Sequence, residues 1–73
     1  MLTWVDKSRA IAIALRFFEQ HHSDIFLKDV ILDVDVWIVT VSIGRIDNKI
    51  RQIKIDVNDG KILGISDFIK PYF

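Results

Sequence analysis

The phase of the apolar residues between Trp37 and Ile65 leaves this chain few folds to adopt. Trp37, Val39, Val41 and Ile43 alternate with Ile38, Thr40 and Ser42, and Ile53, Ile55 and Val57 alternate with Gln52, Lys54 and Asp56. A period of two is the pattern of strands that rest one face on a core. Short loops separate these runs. Asp47 and Asn48 tolerate the left-handed backbone of a hairpin turn, and Gly60, after Asn58 and Asp59, supplies positive φ at no steric cost. Loops this short join antiparallel neighbours, so the spacing predicts strands over 37–45, 49–57 and 61–66.

Upstream the period changes. Ala10, Ile11, Ala14, Leu15 and Phe18 make one apolar stripe on a helix over about 6–21, with Arg9, Arg16, Glu19 and Gln20 on the other side. Asp6 is suited to cap it, or Thr3 and Asp6 form a capping box that starts it a turn earlier. Ile13 and Phe17 widen the stripe, which implies cover from a second direction, by Trp4 and the C-terminal tail. Between helix and hairpins, Val30, Leu32, Val34 and Val36 share even parity, whereas the apolar positions from Trp37 onward are odd. A one-residue slip exchanges the faces of a strand, so the chain turns or bulges between Asp33 and Trp37. The stretch 30–34 is then a first strand or an extended connection, with one unbroken, bulged strand as the competing description. In the tail 67–73, Phe68, Ile69, Tyr72 and Phe73 around Pro71 are expected to dock on the domain. The expected class is α+β, one N-terminal amphipathic helix packed on a three- to four-stranded antiparallel meander, as a single domain over 1–73.

A chain of 73 residues without cysteine has a small core and no disulfide to support it. Its ten basic and ten acidic residues balance, so bulk charge selects neither nucleic acid nor an anionic membrane. No apolar run approaches the roughly 20 residues of a membrane span. Asp6, Lys7, Arg9 and Arg16 interrupt the beginning of the chain, which therefore does not read as a signal peptide. The default location is cytoplasmic; a leader ahead of Met1 would place the protein in the envelope instead.

Spaced alanines on the helix (Ala10, Ala12, Ala14), a Trp-x-Val-x-Val strand (Trp37, Val39, Val41) and the Asp-Gly-Lys-Ile-Leu turn from Asp59 to Leu63 together resemble the PepSY domain family. The resemblance spans about residues 6–66 and is most specific from Ile53 to Ile65. It implies a noncatalytic module, one helix against a small antiparallel sheet, of the kind found in peptidase propeptides, where it is thought to restrain the protease, and in envelope proteins. It brings no catalytic residues with it.

The chemical groups point the same way. His21 and His22 are the only histidines, and neighbours on a helix diverge by about 100°, so a metal site would need Asp24 or distant carboxylates to complete it. Asp56, Asn58 and Asp59 begin like a calcium loop, but Gly60 comes one place early, Lys61 stands where the glycine belongs, and the twelfth position is Asp67. Asp29, Asp33 and Asp35 have no histidine, cysteine or buried lysine placed to make them an acid and base, and read as a solvated strand face or turn. Ser8, Ser23, Ser42 and Ser66 lie in no nucleophile elbow, and Gly44, Gly60 and Gly64 form no phosphate loop. Gly64, inside the last strand, marks a bulge or a close backbone approach. No catalytic residue, metal or cofactor is expected. Arg45, Lys49, Arg51, Lys54 and Lys61 are interleaved with Asp47, Asp56 and Asp59 and have no aromatic among them to stack a base, so nucleic acid is not the expected partner.

Trp37 is expected to lie against the helix near Ala14 or Phe18 and to matter most for stability. What remains for function is the sheet face away from the core, with Ile38, Thr40, Ser42, Ile50, Gln52 and Lys54, a mixed patch suited to transient contact with another protein. The alternative is a structural homodimer in which Ile38 and Ile50, or the aromatic tail, pack across a two-fold axis.

Overall fold

Asp6 fixes where the helix begins. Its backbone is extended and its carboxylate accepts the Arg9 N–H at 2.8 Å, which caps helix α1 over Lys7–Glu19. The last turn closes on Phe18, whose carbonyl accepts the N–H groups of His21 and His22 at 3.1 and 2.9 Å. Ala10, Ala14 and Phe18, spaced four residues apart, form the buried edge of α1. The computed structural model describes residues 4–22, 24–44 and 49–68, with Asp67 and Phe68 through their backbone alone.

Four antiparallel strands follow in chain order across one sheet: β1 (Ile25–Asp33), β2 (Val36–Ile43), β3 (Lys49–Asp56) and β4 (Ile62–Phe68). The chain thus has the expected α+β class, an N-terminal helix on an antiparallel meander. Trp37 lies opposite Ile55 and Val39 opposite Ile53, so the odd-numbered apolar residues of both central strands share one face. There Val39, Val41, Ile43, Ile53 and Ile55 meet Val5, Ala10, Ala14 and Phe18 in a single core. Each large side chain buried in this way contributes about 1.5–3 kcal/mol.

The first strand differs from expectation. It begins at Ile25 rather than near Val30, and the change of parity is taken up at Val34 and Asp35, which alone separate β1 from β2. The even residues Val30 and Leu32 then lie opposite Val39 and Trp37, on the helix side. Val34 has φ of 60° and is 90% exposed. Positive φ at the first central residue of a two-residue hairpin matches the type II′ geometry, where glycine is the usual occupant. Further back, the register slips between Leu27 and Asp29, so Lys28 is the extra residue of a bulge.

Other boundaries also move. β2 stops at Ile43 because Gly44 takes φ of 91° and donates its N–H to the Asp24 carbonyl at 2.9 Å. β4 runs through Phe68, two positions into the stretch expected to be tail. The turn at Asp47 and Asn48, Arg45, and the docking of Ile69, Tyr72 and Phe73 lie outside the described residues. Trp4 is 64% exposed and does not supply the second cover over the helix. Ile13 instead faces the β3–β4 turn, where Gly60 has φ of 76° and a Cβ would stand 3.3 Å from both Ile13 Cδ1 and Val5 Cγ2.

Trp37 is half-buried against the core to which Ala14 and Phe18 belong, and its indole also reaches the segment ahead of the helix, donating Nε1–H to the Val5 carbonyl at 2.6 Å. Phe18, at 1% exposure, is the deepest aromatic among the described residues. We therefore expect Phe18→Ala, rather than a change at Trp37, to cost most, about 3–5 kcal/mol, a large part of the stability of so small a domain. Trp37→Phe keeps an aromatic ring but orphans the Val5 carbonyl. Its expected loss is about 1 kcal/mol, seen in urea melts as a lower midpoint at unchanged slope. At the hairpin, Val34→Gly relieves a β-branched residue of left-handed backbone, worth about 1–2 kcal/mol, against about 0.5–1 kcal/mol of added chain entropy. A rise in melting temperature is the expected result, and a fall would refute the strain.

Candidate functional site

The sheet has a second face. Where α1 covers one side, strand alternation turns the remaining side chains to the other, and the register sorts them into rows. One row runs Phe26, Ser42, Ile50; the next Asp29, Thr40, Gln52, Ser66; the third Ile31, Ile38, Lys54, Gly64. The residues expected from sequence to share this face do so as three directly opposed pairs, Ile38 with Lys54, Thr40 with Gln52, and Ser42 with Ile50. Within the middle pair Gln52 Nε2 donates to Thr40 Oγ1 at 3.2 Å.

Their exposure is not uniform. Ser42 is only 6% exposed although no helix lies on its side, and so it is not displayed. It sits between Phe26 and Ile50 in its row, both bulkier, and a short side chain between larger neighbours loses its access to water. Ile38, Thr40, Ile50 and Gln52 are half-buried and Lys54 is exposed. The residues that stand out furthest escaped the sequence reading. Phe26 is 49% and Ile31 50% exposed, on the same face. The Lys28 bulge breaks the alternation that would tie Phe26 to Val30 and Leu32, and the run Ile25, Phe26, Leu27 is its signal; Ile31 keeps the alternation and is legible from its place between Val30 and Leu32.

The charged groups are dispersed. Lys54 lies on the open face, Arg51 opposite Val41 and Lys49 opposite Ile43 lie on the helix side, and Lys61 follows the β3–β4 turn. Besides the Asp6 cap, carboxylates brace the backbone elsewhere: Asp29 accepts from Val30 N–H at 2.9 Å, Asp56 from Asn58 N–H at 2.7 Å and Asp59 from Lys61 N–H at 2.9 Å. The calcium-like sequence is thus a turn held by its own aspartates. The rings of His21 and His22 stand 6.5 Å apart, edge to face, past the end of α1. Among the described residues, no group of three or more His, Cys, Asp or Glu could hold a metal ion, and no helix is long and apolar enough to cross a membrane. Gly64 follows the extra residue of a bulge, Leu63, since Lys54 pairs with Gly64 and Ile55 with Ile62. A Cβ at Gly64 would meet nothing within 4 Å, so no close backbone approach explains it.

The arrangement offers noncovalent contact. Apolar side chains in the outer rows, Phe26 and Ile50 on either side of Ser42 and Ile31 opposite Ile38, flank a polar row that can donate and accept hydrogen bonds. No family model matches this chain, and the searches of curated proteins and of solved structures likewise find no match.

Proposed function

We propose that this chain is a noncatalytic protein-interaction module that engages its partner through the open face of the sheet. The supporting observation is the set of apolar side chains flanking the Thr40–Gln52 hydrogen bond, on a face that α1 does not cover. Half-exposed aliphatic and aromatic side chains around a satisfied polar centre combine burial on contact with little desolvation cost. The resemblance to PepSY domains points to a peptidase as the class of partner, with this module in a restraining role.

The test uses the purified chain beside an Ile38→Lys, Ile50→Lys variant whose folding is first checked by its circular dichroism and melting curve. Each is immobilised and exposed to lysate from the native host, and any retained protein is purified and titrated against both. The expected result is a discrete partner that binds the parent and loses at least about tenfold in affinity, about 1.4 kcal/mol, for the variant. For a peptidase partner, stoichiometric parent should also slow peptide hydrolysis where the variant does not. Equal binding by parent and variant would remove the open face from the function.

A further inference from the structure

We infer that β1 is a homotypic edge, through which two copies of this chain join antiparallel across a two-fold axis centred between Lys28 and Asp29. β1 ends the sheet, and its sequence from Ile25 to Leu32, IFLKDVIL, is close to a chemical palindrome: three apolar residues, a cation, an anion, three apolar residues. Pairing each residue with its mirror position sets Ile25 against Leu32 of the second copy, Phe26 against Ile31, Leu27 against Val30, and Lys28 against Asp29, each contact occurring twice. A regular strand could not make these pairs, because mirror positions separated by an odd number of residues fall on opposite faces. The bulge at Lys28 corrects this. It puts Phe26 and Ile31 together on the open face, opposite Ser42 and Ile38, and Ile25, Leu27, Val30 and Leu32 together on the helix side, opposite Ile43, Val41, Val39 and Trp37.

The backbone agrees with the same register. The Asp24 carbonyl accepts from Gly44 and so points toward β2, and alternation then directs the backbone groups of Ile25 and Leu27 outward. Val30 N–H also points away from the ladder; in the single chain it bonds the Asp29 side chain at 2.9 Å, and on pairing it must leave that carboxylate for the Leu27 carbonyl of the second copy, as Asp29 turns to the second copy's Lys28. Leu27 and Val30 are the residues that must exchange hydrogen bonds across the two-fold axis. A bulge in the middle of an edge ordinarily defeats the addition of a strand. Here it makes the edge selective, because only a strand with the same bulge at the same place keeps both its faces and its outward groups in step. The exposed Phe26, Leu27, Ile31 and Leu32 would each gain an apolar neighbour, and the two four-stranded sheets would become one of eight. Pairing at this edge is independent of the open-face reading, although it would join two open faces into one.

Charge reversal tests it. Lys28→Asp places aspartates opposite aspartates at the centre of the pair, and Asp29→Lys places lysines opposite lysines. Both sites are exposed, so each variant should keep the parent's circular dichroism. Sedimentation equilibrium up to about 1 mM, the range of weak association, should give twice the monomer mass for the parent and the monomer mass for each variant alone. Mixed one to one, the two variants set aspartate against lysine at both central contacts and should return to the dimer mass as a heterodimer. A parent that stays monomeric, a Lys28→Asp chain that still dimerises, or a mixture that stays monomeric would each overturn the proposal. The Ile38→Lys, Ile50→Lys variant should dimerise like the parent, which separates this edge from the open face.

Discussion

Val5 is the joint on which helix and sheet depend. Its N–H donates to the Val57 carbonyl at 2.7 Å, its own carbonyl accepts from the Trp37 indole at 2.6 Å, and its side chain is in the core. One residue later Asp6 caps α1. Both backbone groups of Val5 are thus satisfied by β2 or by the turn after β3, and the first helical turn is set down at that end of the sheet. The Asp24 to Gly44 bond makes the corresponding closure at the other end of β2. A helix of 13 residues is about 20 Å long, enough to carry the chain from one closure toward the other without a long loop. Helix direction follows from these two backbone bridges, and Ala10, Ala14 and Phe18 need only be flat enough to lie down.

Much of this was legible because the signals were local. The alternation of Val39, Val41, Ile53 and Ile55 and the suitability of Asp6 as a cap are written in neighbouring residues, and the positive φ of Gly60 is what a short turn asks of its glycine. The parts that resisted depend on events that leave no periodic trace. A bulge adds one residue and reverses the phase behind it, so the alternation from Val30 onward does not reach back to Ile25 and Phe26, and β1 is longer than its pattern. Nor does composition reveal that a valine occupies a left-handed position. For Trp37 the packing against the core is legible from the strand pattern, but its N–H also needs an acceptor and finds one in Val5, as an amphipathic ring that keeps one end polar requires.

On the candidate face, register alone settles membership but not display. Knowing that Ile38, Thr40 and Ser42 share a face required only their spacing, and the pairing with Lys54, Gln52 and Ile50 followed from the short hairpin. Which of them reaches solvent depended on neighbours in the next strand. Ser42 is buried although its row lies on the side away from α1, with Phe26 of β1 and Ile50 of β3 opposite it.

The left-handed Val34 also bears on the order of assembly. In an unfolded chain a β-branched residue rarely visits that conformation, so the β1–β2 hairpin lacks a turn that forms readily on its own. The β3–β4 turn has Gly60 and two aspartates that bond their own backbone. The turn chemistry therefore favours loop closure in the C-terminal half, an order in which β1, with the part of α1 that rests on it, would be added to a sheet already begun. Low φ-values in β1 beside higher ones in β3 and β4 are the kinetic signature of that sequence of events. A strand that joins late leaves its edge open longest, and β1 carries the bulge that keeps other strands off it in the meantime.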